Sequence, residues 1–244
     1  MKLEICIDSF DGMIGAYFGG ADRVEICSCL ALDGLTPSVG LVDICCEYDN
    51  IEKFVMIRPR QGHFTYDDFE IDQMKADIMA YKSKPIDGFV FGVLDSEGRL
   101  DIETMKELVY LAFPKKVVLH RAFDYSLDGE EKIEELIKMG VDRILTSGKK
   151  PKAIEGIELI RDLQESYGDM IEIMAGSGVN HENIKEIYEK AGIKNFHLSA
   201  RHVGQTEIDY DNFGKSFADY NFTSSGEVEM AKRAIEDLKN ENVI

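Results

Sequence analysis

One short phrase recurs in this chain wherever a helical stretch gives way to an apolar one. It reads Gly20-Ala21-Asp22-Arg23-Val24, Pro85-Ile86-Asp87-Gly88-Phe89, Gly140-Val141-Asp142-Arg143-Ile144 and Gly192-Ile193-Lys194-Asn195-Phe196. Three of the four put glycine where a helix C-cap wants a left-handed residue, so one helix-to-strand unit is being reused. The apolar runs extend the count to eight: Leu3–Ile7, Val24–Cys27, Phe54–Ile57, Ile86–Val93, Val117–Leu119, Ile144–Leu145, Ile171–Met174 and Phe196–Leu198. Each is followed by a stretch that can be helical. Phe69, Met74, Ile78 and Tyr81 fall near helical spacing, as do Ile133, Leu136 and Ile137, and Ala153, Ile154, Ile157, Leu159 and Ile160. Asp101, Asp128 and Asn180 are candidate N-caps, and Ser224 with Glu227 has the spacing of a capping box. Eight such units in about 250 residues fit a single closed (β/α)8 barrel better than an open doubly wound sheet, and no G-x-G-x-x-G follows the first strand. The whole of 1–244 reads as one domain. Residues 202–244 form a C-terminal extension: an aromatic-rich stretch, 203–225, expected to drape over the barrel or a partner subunit, then a final helix through Met230, Ala234, Ile235 and Leu238.

Composition removes several classes of function. A formal charge of −18 would repel a phosphate backbone, which argues against a nucleic-acid partner. No apolar run reaches the roughly 20 residues that span a bilayer, so no membrane partner is expected. The N-terminus turns acidic within four residues and offers no signal-peptide core, which points to a cytoplasmic setting. Five cysteines are an odd number for a disulfide framework and read instead as buried thiols or soft metal ligands.

The C-terminal ends of barrel strands and the loops after them build the site. The first two strands carry matching Glu-Ile-Cys triplets, Glu4-Ile5-Cys6 and Glu25-Ile26-Cys27. With a side-chain period of two, glutamate and cysteine share a face. A glutamate turned to the outer helices would be buried unpartnered, so all four side chains are placed toward the barrel axis. Neighbouring strands about 4.8 Å apart then let Cys6 and Cys27 share one soft ion; the plain alternative is two thiols filling small spaces. Strand three ends in Arg58-Pro59-Arg60 with Gln61 and His63 beyond, and strand five in His120-Arg121-Ala122-Phe123-Asp124. Arg58, Arg60 and Arg121 at one mouth of an acidic protein make a candidate anion site. Glu25 or His120 are the candidates to move a proton, with Asp124 orienting its neighbours. The competing reading is that Glu4, Glu25 and Asp124 consume these cations in a structural salt-bridge network, the Arg121–Asp124 pair among them. Strands six to eight end in Thr146-Ser147-Gly148, Ala175-Gly176-Ser177-Gly178 and Leu198-Ser199-Ala200, where Ser147, Gly176, Gly178 and Ser199 leave backbone N–H groups open to an anion.

Six motifs in order resemble the CutC family of copper homeostasis proteins: Gly19-Gly20-Ala21-Asp22-Arg23-Val24-Glu25, Gly34-Leu35-Thr36-Pro37-Ser38, Met56-Ile57-Arg58-Pro59-Arg60, His120-Arg121-Ala122-Phe123-Asp124, Leu145-Thr146-Ser147-Gly148 and His197-Leu198-Ser199-Ala200-Arg201. The resemblance covers residues 1–201. It implies a TIM-like barrel that self-associates as a dimer or tetramer, a cytoplasmic location, and a Cu(I) site at Cys6 and Cys27. Two functions of different class therefore stand at this point. One is copper(I) binding through thiolates; the other is a barrel enzyme or binder acting on a small phosphorylated or carboxylated metabolite.

Overall fold

A computed structural model describes residues 1–204 and 220–241. Eight parallel strands close into a barrel in chain order. They are β1 (Lys2–Ile7), β2 (Arg23–Ile26), β3 (Glu52–Met56), β4 (Gly88–Phe91), β5 (Lys116–Leu119), β6 (Arg143–Thr146), β7 (Glu172–Ala175) and β8 (Asn195–Leu198). The helices between them are α1 (Phe10–Phe18), α2 (Val39–Cys45), α3 (Asp68–Lys82), α4 (Ile102–Ala112), the one-turn α5 (Ala122–Tyr125) with α6 (Ile133–Met139), α7 (Ile157–Tyr167) and α8 (Ile184–Ala191). After β8 come an antiparallel pair, β9 (Arg201–Gly204) and β10 (Tyr220–Thr223), and the last helix α9 (Ser225–Glu241). The remainder of the 203–225 stretch, residues 205–219, lies outside the described residues. Helix α9 starts with Ser224 Oγ accepting from Glu227 N–H and buries Val228, Ala231, Ile235 and Leu238. Met230, expected on that face, is exposed.

The recurring aspartate has a structural job. Asp22, Asp87 and Asp142 each accept a hydrogen bond at 2.8 Å from the backbone N–H of the preceding strand's start, Leu3, Lys53 and Val117. Their own N–H groups donate to the carbonyls of those same three residues. The strands β1, β3 and β5 are thereby pinned to β2, β4 and β6 at the bottom of the barrel. Gly20, Gly140 and Gly192 all take positive φ, as the helix ends required.

Strand alternation sorts the core into two apolar clusters. Leu3, Ile5, Val24, Ile26, Phe89, Leu119 and their equivalents face the helices, while Cys27, Phe54, Met56, Val90, Val118, Leu145 and Met174 pack inside the barrel. Gly88 sits where the interior is tightest, since a Cβ there would lie 2.6 Å from both Lys116 O and the Phe54 ring. Overpacking of this kind costs about 1–3 kcal/mol, so Gly88→Ala should lower the unfolding midpoint in urea with little change in slope; an unchanged midpoint would mean the barrel gives easily at this level.

Three local expectations are corrected. Phe69 is exposed rather than part of the buried face of α3, where Met74, Ile78 and Tyr81 carry the packing. Asp128 makes no capping bond, because its carboxylate is taken by Leu100 N–H. Asn180 caps the turn before α8 and not the helix itself, which begins at Ile184. Asp101 caps α4 through Thr104 N–H.

Candidate functional site

The inward face of each strand supplies one rung of a ladder of groups, and the lowest rung is ionic. Glu4 is fully buried. Its Oε2 lies 3.1 Å from both Arg23 Nε and Arg143 Nη1, the first an ion pair at an angle poor for a hydrogen bond. Its Oε1 lies 3.0 Å from His197 Nδ1. Burial alone would raise the Glu4 pKa, but the His197 hydrogen bond and the two guanidinium groups bring it down to about 2. Arg23 and Arg143 also reach Glu172, and Arg23 reaches Asn195.

Above that rung sit the thiols. The barrel's shear sets Cys6 beside Glu25, and Glu4 beside Arg23, so the two Glu-Ile-Cys triplets are offset by two residues rather than aligned. Both cysteines still face inward, and the Cys27 thiol donates to Glu25 Oε1 at 3.2 Å. Cys27 is wholly enclosed, and burial, then the charges of Glu25 and Cys6, push its thiol well above the usual range. Burial also raises Glu25, against the pull of His197. His197 goes the other way: burial opposes its charge, yet Cys6, Glu25 and Glu4 hold it well above the ordinary histidine value. Ligand atoms of Glu4, Glu25 and His197 lie within 4.8 Å of one another, and of these Glu25 meets the Cys27 thiol and His197 the Cys6 thiol.

Over this floor opens a cavity of about 1080 Å³ at the C-terminal end of the strands. Cys6, Glu25, Arg58, His120, Arg121 and His197 all line it, and so do Gly178 and Ser199. Arg60 does not. It turns outward to Glu70 and to the carbonyls of Gln61, His63 and Thr65, an ion pair that fixes the loop after β3. Ser147 and Gly176 are also off the lining. The Ser147 hydroxyl is spent on Asp124 and Lys150 O, and a Cβ at Gly176 would meet Leu145 at 2.5 Å. Asp124 lies behind the wall, where it accepts from Arg121 Nε, Thr146 Oγ1 and the N–H groups of Ser147 and Lys149. It holds Arg121 in place and is not among the residues that line the cavity. His197 and Glu4 received no site role from the sequence, although the alternation Asn195/His197 on a barrel strand already pointed both inward.

A closed eight-stranded barrel with a polar cavity at the carboxyl ends of its strands defines a (β/α)8-barrel protein, and the cavity is its candidate site. The CutC family profile matches residues 1–202, and the chain belongs to this family. It is 41% identical to the human copper homeostasis protein cutC homolog over 210 residues, 86% of this chain and 77% of that one. With the CutC protein of Aliivibrio fischeri strain MJ11 it shares 42% identity over 203 residues, 82% of either chain. A solved CutC structure from Streptococcus agalactiae superposes with a TM-score of 0.78 at 34% identity, covering 82% of this chain and 99% of that one. The likeness to thiamine phosphate pyrophosphorylase from Pyrococcus furiosus, TM-score 0.59 at 18% identity over 97% of this chain and 96% of that one, concerns the fold alone. Among the described residues no helix is long and apolar enough to cross a membrane.

Proposed function

We propose that the chain binds copper(I) as cargo, through the thiolates of Cys6 and Cys27 at the floor of the barrel cavity. The observation that carries the reading is two free thiols, Cys6 and Cys27, on neighbouring strands and both turned to the barrel interior, in a chain that belongs to a copper homeostasis family. The donor set suits the ion. Copper(I) is soft, favours sulfur and tolerates low coordination. A thiol as enclosed as Cys27 resists ionising alone, so a cation that replaces its proton supplies the missing counter-charge. His197 borders the Cys6 sulfur and Glu25 the Cys27 sulfur, an imidazole and a carboxylate able to support the ligands from behind. Cys45 is buried at the end of α2, where burial pushes it up to about 12, and its ionisable neighbours are Cys46 and Lys53.

Cys6→Ser and Cys27→Ser are each expected to weaken Cu(I) binding more than about 100-fold, beyond the range typical of groups that only support a ligand. Cys45→Ser should leave the affinity where it was. Competition against a Cu(I) chelator under reducing conditions measures all three, and equal losses would show indiscriminate thiol binding.

A further inference from the structure

The copper site occupies the floor of the cavity and leaves its wall without a role. At about 1080 Å³ the cavity is in the range that encloses a small organic molecule, far more space than an ion needs. Its lining includes Met56, Phe64, Leu94 and Leu145, an apolar bed of the kind an organic body uses and a metal does not.

Two buried N–H donors on the same wall lack partners. Arg58 is 3% exposed. Its Nη1 donates to Leu32 O and Gly34 O and its Nη2 to Gly62 O, but its Nε makes no hydrogen bond, although the buried and likewise unpaired Tyr66 hydroxyl lies close to the guanidinium. These three acceptors are neutral carbonyls, and no carboxylate of the described residues is paired with this guanidinium, an uncommon state for a buried cation. His120 is equally buried. Its Nδ1 accepts from Ala122 N–H at 3.1 Å, so the ring hydrogen belongs on Nε2, and that atom is buried without a partner. The Phe64 ring joins the two, 4.6 Å from the His120 centroid and 5.0 Å from Arg58 Cζ. Arg121 stands next along the wall with Asp124 and Ser147 fixing its Nε and Nη2. Buried polar groups are satisfied in the great majority of cases, and two unsatisfied donors on one cavity wall mark the place of a missing acceptor.

We propose that the barrel mouth binds a small organic oxyanion, a carboxylate or a phosphate ester, whose oxygens accept from His120 Nε2–H, Arg58 Nε–H and the Arg121 guanidinium while its carbon body lies on Met56, Phe64 and Leu145. The neutral imidazole donates one hydrogen bond without competing for charge, and the two guanidinium groups supply the counter-charge in a setting where such bonds are stronger than neutral ones. This ligand is separate from the metal, since none of its donors is a copper ligand.

The test uses metal-free protein with a Cu(I) chelator present throughout, titrated calorimetrically with acetate, malonate, inorganic phosphate and glycerol 3-phosphate. At least one of the four should bind saturably. His120→Gln and Arg121→Gln should each weaken that binding about tenfold or more, the loss of one hydrogen bond to a charged group. In the wild-type protein the His120 Nε2–H resonance, followed by ¹H–¹⁵N NMR, should shift as the probe saturates, a response that a purely structural histidine would not give. Arg58 is left intact, because its three carbonyl bonds make a folding defect the first consequence of replacing it. Absence of saturable binding by all four probes would overturn the proposal, as would binding that His120→Gln does not weaken and that leaves the His120 resonance unmoved.

Discussion

Glu4→Ala is expected to destabilise the protein by about 3–5 kcal/mol, the cost of removing one partner from a buried ion pair and leaving the other charged. Glu4 is fully enclosed and meets Arg23, Arg143 and His197 at 3.0–3.1 Å. Both arginine side chains are only 2% exposed. With Glu4 gone, Glu172 remains as their only carboxylate among the described residues, and it is half in solvent. Glu172→Ala should therefore cost less than Glu4→Ala, because water reaches its side of the network. The Arg143 guanidinium also lies over the Phe54 ring at 4.8 Å, so a shift at the ionic rung is transmitted to the apolar rung above it. Urea unfolding of the two variants at pH 7 measures the difference. A Glu4→Ala protein within about 1 kcal/mol of wild type, the range of an exposed ion pair, would show that the bottom of the barrel admits water.

Acid should unfold the wild-type protein more readily than it unfolds His120→Gln. Burial first, and the nearby Arg58 cation second, push His120 down to about 3, against about 6.5 in an unfolded chain. Above pH 6.5 neither state binds the proton, and this group contributes nothing to the pH dependence. Between about pH 6.5 and 3 the unfolded chain takes the proton and the folded one does not, so stability falls with pH by about 1.4 kcal/mol per unit. The loss from this residue amounts to about 2 kcal/mol at pH 5 and about 4 kcal/mol at pH 3. His197 has the opposite sign. Its folded pKa is raised well above the ordinary value, so its contribution is fully present below about pH 6.5 and is lost as pH rises through the folded value. Present in both proteins, it cancels in the comparison. Urea unfolding of wild type and His120→Gln at pH 7, 6 and 5 gives the double difference, and parallel pH profiles would mean that His120 protonates in place. An oxyanion seated against Arg58 would offset part of that cation's effect on His120 and flatten the wild-type profile, which links this measurement to the ligand inferred above.

The barrel was legible in the sequence because its determinants are local. Each βα unit repeats a strand-length apolar run, a helical period and a turn, and the aspartate of Asp22, Asp87 and Asp142 marks the junction by a bond to the N–H of the neighbouring strand's second residue. Period-two alternation likewise placed Glu4, Cys6, Glu25 and Cys27 inside, since a buried carboxylate cannot face an apolar helix layer. The relation between strands was not legible. Barrel shear is a global closure condition, and it moved Cys6 beside Glu25 and Glu4 beside Arg23, offsetting two triplets that look aligned in one dimension.

Which charges face the cavity was likewise decided in three dimensions. Arg58 and Arg60 are two residues apart, yet one lines the mouth and the other is drawn outward by Glu70, ten residues downstream. Ser147 and Gly176 sit at strand ends like Gly178 and Ser199 but are taken up by Asp124 and Leu145. The sequence by itself determined the unit, its repetition and the side of each strand that meets the barrel axis, because these follow from backbone periodicity and the cost of burying charge. Only the tertiary structure decided which arginine is neutralised and which is left with an open N–H, because that depends on carboxylates and carbonyls brought in from distant parts of the chain.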